Sequence, residues 1–142
     1  MSEELELREV AAAVIVHDGR VLVQTRPAEG RFQGWWEFPG GGREEGESLA
    51  ECARRECLEE VGLAITTGET LHRVEWSYPG RRVRVDFLLC AAEAPPAAGE
   101  PQAEAREGQR ELRWVPVPEL GDLKMLPANA EVVALLRERF AD

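Results

Sequence analysis

Three glutamates stand together in the run Arg55-Glu56-Cys57-Leu58-Glu59-Glu60. At about 100° per residue on a helix, Glu59 lies roughly 60° to one side of Glu56 and Glu60 about 40° to the other. The three carboxylates then share one sector of roughly 100°. That sector lies beside an apolar stripe of Ala50, Ala53, Cys57 and Val61. Like charges at i,i+4 repel, so the crowding costs helix stability. A cation converts the cost into affinity: Mg2+ takes oxygen ligands in octahedral geometry and usually shares them with substrate phosphates. The structural alternative is a solvated acidic face, with Arg55 bridging to Glu59 at i,i+4.

Charge supports a metal-assisted anion site over a basic one. Seventeen Lys plus Arg oppose 27 Asp plus Glu, for a net charge of −10 over 142 residues. A chain this acidic is a poor binder of nucleic acid polymers or anionic membranes, where clustered basic residues supply the attraction. An anionic substrate therefore needs its repulsion neutralised, and a divalent metal does so. Apolar residues make up 44% of the chain, a length and balance that suit one globular domain over residues 1–142 with no need of disulfides. No apolar run approaches the roughly 18 residues of a membrane-spanning helix. The acidic start of the chain is unlike a secretory or transit signal. Cys52, Cys57 and Cys90 include no CxxC pair and cannot all pair with one another, which points to a reducing, cytoplasmic setting.

The elements that must position the glutamates follow from local signals. Val10–Val16 and Val21–Thr25 are β-prone runs around Asp18-Gly19, a dipeptide suited to a hairpin turn. Residues 27–34 read as a loop, followed by the aromatic segment Trp35-Trp36-Glu37-Phe38, which Pro39 and Gly40–Gly42 end. Ser48 to Val61 reads as the clearest helix, with a capping box from Ser48 to Glu51 and Gly62 at the C-terminal cap. Tyr78–Arg81 is a turn before a strand from Val83 to Cys90. Residues 94–108, rich in Pro, Ala and Glu, read as a long exposed loop. Leu112–Val117 gives a further strand, and Glu131–Phe140 a final helix. The sum is a mixed α/β layered domain. His17 and His72 have no ligand spacing and read as surface residues.

The stretch from Gly41, through Glu47 after five intervening residues, to Arg55-Glu56-Cys57-Leu58-Glu59-Glu60-Val61-Gly62-Leu63 resembles the Nudix box, here residues 41–63. Every fixed polar and glycine position is present at its spacing. Cys57 stands where the family carries a bulky aliphatic, and as a small buried hydrophobe it should affect packing more than chemistry. Beyond the box, Trp36-Glu37-Phe38-Pro39-Gly40-Gly41 upstream and Glu107-Gly108-Gln109, Trp114 and Pro127-Ala128-Asn129 downstream are similar to the MutT-like branch.

The resemblance implies an α/β/α sandwich with a mixed sheet between helices, and Mg2+-dependent hydrolysis of nucleoside triphosphates, with Mn2+ as a possible substitute. Glu56, Glu59 and Glu60, the Gly40 carbonyl and Glu107 would hold metal, Glu107 as ligand or as base; its alternative is an ordinary loop glutamate. Arg55 would orient a glutamate, and Glu47 would support the loop. Arg26, Arg31, Glu37, Phe38, Pro39, Gly40, Arg81 and Asn129 would bind substrate, with Asn129 reading the base edge. The alternative for Asn129 is an N-cap of the last helix. Phe38, Trp35 and Trp36 have faces able to stack on a base, and strand alternation allows at most one of the two tryptophans to do so. The product pair would be a nucleoside monophosphate and pyrophosphate, from an oxidised purine triphosphate such as 8-oxo-dGTP. Alternatives are a CTP- or dCTP-type or broad-range pyrophosphatase, a Nudix-shaped binding protein without turnover, or an acidic interaction protein. A monomer or homodimer is expected.

Overall fold

The computed structural model describes residues 6–26, 33–96, 99–106 and 110–140. Seven strands and two helices follow one another as β1 (Leu7–His17), β2 (Arg20–Thr25), β3 (Trp36–Glu37), β4 (Gly40–Gly42), α1 (Leu49–Val61), β5 (Ile65–Tyr78), β6 (Arg81–Ala92), β7 (Leu112–Pro116) and α2 (Ala130–Phe140). The sheet runs β3-β2-β1-β6-β5, with β4 on β1 and β7 on β2. Strands β1 and β6 pair in parallel, from Leu7↔Arg82 to Ile15↔Cys90, and the other strand pairs described are antiparallel, so the sheet is mixed.

Strand β1 is buried on both faces, and its alternation divides two cores. Ala11, Ala13 and Ile15 pack with Cys52, Ala53, Cys57 and Val61 of α1, while Ala12 and Val14 pack with Val132, Val133 and Leu136 of α2. The sheet therefore lies between helices, as expected. The β1–β2 turn is the expected hairpin, with Asp18 and Gly19 at φ 48° and 72°.

Helix α1 has its full set of local signals. The Ser48 side chain accepts from the Glu51 amide, the Glu51 carboxylate accepts from the Ser48 amide, and Gly62 closes the helix in the left-handed region. Its inward face is Cys52, Ala53, Cys57 and Val61 together with Glu60, whereas Ala50 is only half-buried. Residues 101–106 have no regular structure, as expected of a loop, but they are tied to the end of α1 rather than exposed throughout. Pro101 is buried, and the amides of Glu104 and Arg106 donate to the carbonyls of Val61 and Glu60 at 2.9 and 2.8 Å. The segment thus satisfies helix-end acceptors that would otherwise lack partners.

Strand β5 carries no clear signal in the sequence. It is an edge strand whose register shifts twice, between Thr67 and Thr70 and between Thr70 and His72. Its three Thr and two Glu, with Gly68 and Arg73, obscure the alternation. The histidines are not plain surface groups: His17 Nε2 lies 3.0 Å from the Gly99 carbonyl, and His72 contacts Glu131 at 2.9 Å while stacking on Phe87.

The site depends on a split in the sheet. Strand β2 pairs with β1 only at Val16↔Val21 and His17↔Arg20. Further along the same edge, β4 takes its place at Val10↔Gly42, Ala11↔Gly41 and Ala12↔Gly40. Where β2 and β4 diverge, Gln24 of β2 meets Glu60 of α1.

Candidate active site

The three carboxylates of α1 have three different environments. Glu59 is half exposed, Glu56 is largely covered, and Glu60 is buried at 5% exposure. Glu60 accepts from Gln24 Nε2 at 3.3 and 3.4 Å and from the Gly40 amide at 3.4 Å, with Arg110 Nη1 at 3.8 Å. Burial outweighs these partners and pushes its carboxyl up to about 7. The other two turn to Arg55, whose Nη1 lies 2.7 Å from Glu56 Oε1 and 3.2 Å from Glu59 Oε2.

Arg55 is the hub of the box. Its Nε and Nη2 grip Glu47 at 3.0 and 2.7 Å, and Nη2 also donates to the Gly42 carbonyl at 3.0 Å. Glu47 accepts the Glu44 amide as well. The Arg55 hydrogen bond and this amide hold its carboxyl down at about 2. The glycines permit this closeness. A Cβ on Gly41 would lie 2.1 Å from Glu56 Oε2, and one on Gly40 would lie 2.2 Å from the Ala11 carbonyl oxygen.

A cavity of about 1080 Å³ opens on the α2 face of the sheet. Val10, Ala12, Val83, Val85 and Phe87 give it an apolar lining, and Glu60, Glu37, Arg26 and Arg110 a charged one. Arg26 Nη1 donates to Glu37 Oε1 at 3.2 Å. Burial raises the Glu37 carboxyl above the usual range against the opposing pull of Arg26 and Arg110. Phe38, Arg81 and Asn129 also line the cavity. Asn129 is 4% exposed, and its Nδ2 has no hydrogen-bond partner among the described residues.

The N-cap reading of Asn129 does not hold. A 3-10 turn at Pro127–Asn129 runs directly into α2 with Ala130 already helical, and the entry residue is Leu126 at φ −55°, ψ 141°. Asn129 is thus inside the helical run, and its amide N–H bonds to the Leu126 carbonyl. Neither Trp35 nor Trp36 lines the cavity. Trp36 is core, with Arg113 4.8 Å above its ring, and Trp35 lies under Lys124 at 4.4 Å. Pro39 is buried at the sheet edge, its carbonyl accepting from the Ala13 amide at 2.7 Å. Arg31 and Glu107 lie outside the described residues.

Four residues that the sequence did not mark line or support the cavity: Arg8, Gln24, Trp76 and Arg110. Gln24 had a visible signal, a polar residue continuing the apolar run Val21-Leu22-Val23. Arg110 had none, since its partners are remote in sequence.

The donor set suits a hard divalent cation. Among the described residues no three His, Cys, Asp or Glu side chains are gathered into a ready cage. Mg2+ does not need one, because it keeps several waters and binds through one or two carboxylates plus substrate phosphates. Glu60 is an all-oxygen donor whose burial is only loosely balanced by Arg110, so positive charge beside it relieves a real cost.

A family model described as the NUDIX domain matches residues 7–136. The chain is 33% identical over 125 residues to the CTP pyrophosphohydrolase of Escherichia coli, covering 88% of this chain and 87% of the relative. It is 32% identical over 126 residues to the 8-oxo-dGTP diphosphatase of Haemophilus influenzae, covering 88% of each. The backbone superposes on the solution structure of the E. coli ORF135 protein with a TM-score of 0.76 at 30% identity, over 97% of this chain and 96% of that one.

Proposed function

The chain belongs to the Nudix family of hydrolases, and from that premise we propose that it is a Mg2+-dependent nucleoside triphosphate pyrophosphohydrolase that clears oxidised purine nucleotides such as 8-oxo-dGTP from the cytoplasmic pool. The observation that carries this reading is one cavity lined by both a buried carboxylate, Glu60, and a buried amide, Asn129 Nδ2, that has no partner among the described residues. In this reading the carboxylate serves metal and phosphates, and the amide serves a base edge that offers an acceptor.

Each residue has a part in this scheme. Glu56, Glu59, Glu60 and Glu107, with the Gly40 carbonyl, would hold the cation. When bound, Mg2+, or Mn2+ in its place, supplies an activated water and spreads the charge that develops on phosphate oxygens. Arg55 keeps Glu47, Glu56 and Glu59 in position. Arg26, Arg31 and Arg81 offset polyphosphate charge. Phe38 and the apolar lining exclude water around the base, and Asn129 donates to it. Water attack at the β-phosphorus breaks its bond to the bridging oxygen, which leaves on the nucleoside monophosphate, and pyrophosphate is the second product.

A second reading, a CTP-type pyrophosphatase, is favoured by the E. coli relative of that name. A panel of 8-oxo-dGTP, dGTP, dCTP and CTP, compared by kcat/KM with Mg2+, separates the two. The highest value is expected for 8-oxo-dGTP, and a higher one for CTP or dCTP transfers the assignment. In the same assay Glu60→Gln, which keeps shape but removes charge, should lower kcat by orders of magnitude in a folded protein. Wild-type turnover by that variant would overturn the metal assignment.

A further inference from the structure

Four charged side chains that line the cavity form a row alternating in sign: Arg26, Glu37, Arg110 and Glu60. The first contact is the 3.2 Å bond from Arg26 to Glu37. The next two are longer. Arg110 Nη1 stands 3.5 Å from Glu37 Oε2 and 3.8 Å from Glu60 Oε2. Guanidinium–carboxylate bonds normally close to about 2.7–2.9 Å, so Arg110 lies between two carboxylates and is tightly bonded to neither. Its side chain is only 13% exposed. A guanidinium so well covered ordinarily uses its five donors in short charge-assisted bonds. Among the described residues, these are the polar contacts of the Arg110 side chain.

The backbone sets Arg110 there firmly. The next residue, Glu111, exchanges bonds with Thr25: Thr25 N–H donates to the Glu111 carbonyl at 3.0 Å, and Glu111 N–H donates to Thr25 Oγ1 at 2.9 Å. One step further, Leu112 pairs with Gln24, the residue that donates to Glu60. Among the described residues, a cation without a short bond thus lines the cavity beside Glu60. The chain as a whole, at −10, repels polyanions, so a local cation here has outsized effect.

We propose that Arg110 is a phosphate-binding residue of this site, gripping the polyphosphate of the bound nucleotide and the pyrophosphate product. The inference rests on the nucleotide reading above. Glu37 and Glu60 hold the guanidinium in waiting, and an incoming phosphate gains its donors without breaking a short bond. The planar fork matches pairs of phosphate oxygens, a geometry that a lysine does not reproduce.

Calorimetric titration of inorganic pyrophosphate tests this, with wild type, Arg110→Met and Arg110→Lys each measured in Mg2+ and in EDTA. Arg110→Met should weaken pyrophosphate binding at least tenfold, and Arg110→Lys, which keeps charge and loses the fork, should fall between it and wild type. Steady-state kinetics should show the larger change in KM and the smaller in kcat. Binding by Arg110→Met within twofold of wild type overturns the proposal, as does a wild type that binds no pyrophosphate. Should Arg110→Met fail to fold, Arg110→Lys carries the test: at least threefold weaker binding supports the role, and equal binding overturns it. A wild type that binds pyrophosphate through Arg110 yet hydrolyses no nucleoside triphosphate sinks the substrate reading and leaves this one standing.

Discussion

Asn129 shows what burial does to the meaning of a single residue. An asparagine before a helix is ordinarily exchangeable with aspartate, since both cap well. Here the side chain is 4% exposed, its Nδ2 lacks a partner among the described residues, and the helical run begins two residues earlier at Pro127. Asn129→Asp therefore places a carboxylate where no cap donors await it. Burial favours the neutral acid and raises the pKa of such a group. Its charge costs stability above that pKa, and the cost disappears as pH falls and the group protonates. The melting temperature of Asn129→Asp should lie well below wild type at pH 8 and approach it at pH 5. Scans at the two pH values check this, and an unchanged melting temperature at pH 8 would restore the cap reading. The variant should also lose discrimination among bases, because an ionised carboxylate cannot donate.

The glycine strand β4 makes two opposite demands on one element. Gly40 faces backbone, with a Cβ there 2.2 Å from the Ala11 carbonyl oxygen and 2.8 Å from the Ala12 Cα. Gly41 faces the end of a flexible side chain, with its Cβ 2.1 Å from Glu56 Oε2. In Gly40→Ala the strand must leave β1, so melting temperature should fall steeply. In Gly41→Ala the carboxylate moves aside at little cost to the fold, but Glu56 is displaced from the box. This variant should melt near wild type while kcat drops about tenfold or more, a loss of the kind that misplacement by ~1 Å produces. Comparable losses of stability in both variants would contradict this division of labour.

Across the whole molecule, the three thiols report on the α1 side of the core. Cys52 and Cys57 of α1 and Cys90 of β6 are all buried in the same apolar cluster. Burial is the main reason that the thiols are pushed up to about 11 for Cys52 and about 12 for Cys57 and Cys90. Thiolate is the reactive form, so none of the three should react with a disulfide reagent at pH 8 in the native protein. All three should react in concentrated guanidinium, and the slow native-state rate should follow global unfolding. Rapid labelling of one cysteine would reveal local opening of α1 against the sheet. The same cluster explains why Cys57 stands in the aliphatic slot of the box: the position is filled and dry, and nothing in its surroundings activates it.

What could be read from the sequence is what depends on neighbours along the chain. The capping box of α1, the Asp18-Gly19 turn and the shared sector of Glu56, Glu59 and Glu60 involve residues four or fewer positions apart. Backbone geometry alone converts such spacings into positions. The box from Gly41 to Leu63 was legible for the same reason, since its loop and helix are continuous. Tertiary structure decided which carboxylate is buried, what faces it, and where the base would lie. Gln24 reaches Glu60 across 36 positions, and Arg110 reaches Glu37 across 73. No periodicity encodes such meetings. They arise because β1 gives one stretch of its edge to β2 and another to β4, and the gap admits a buried charge that has to find its partners through space.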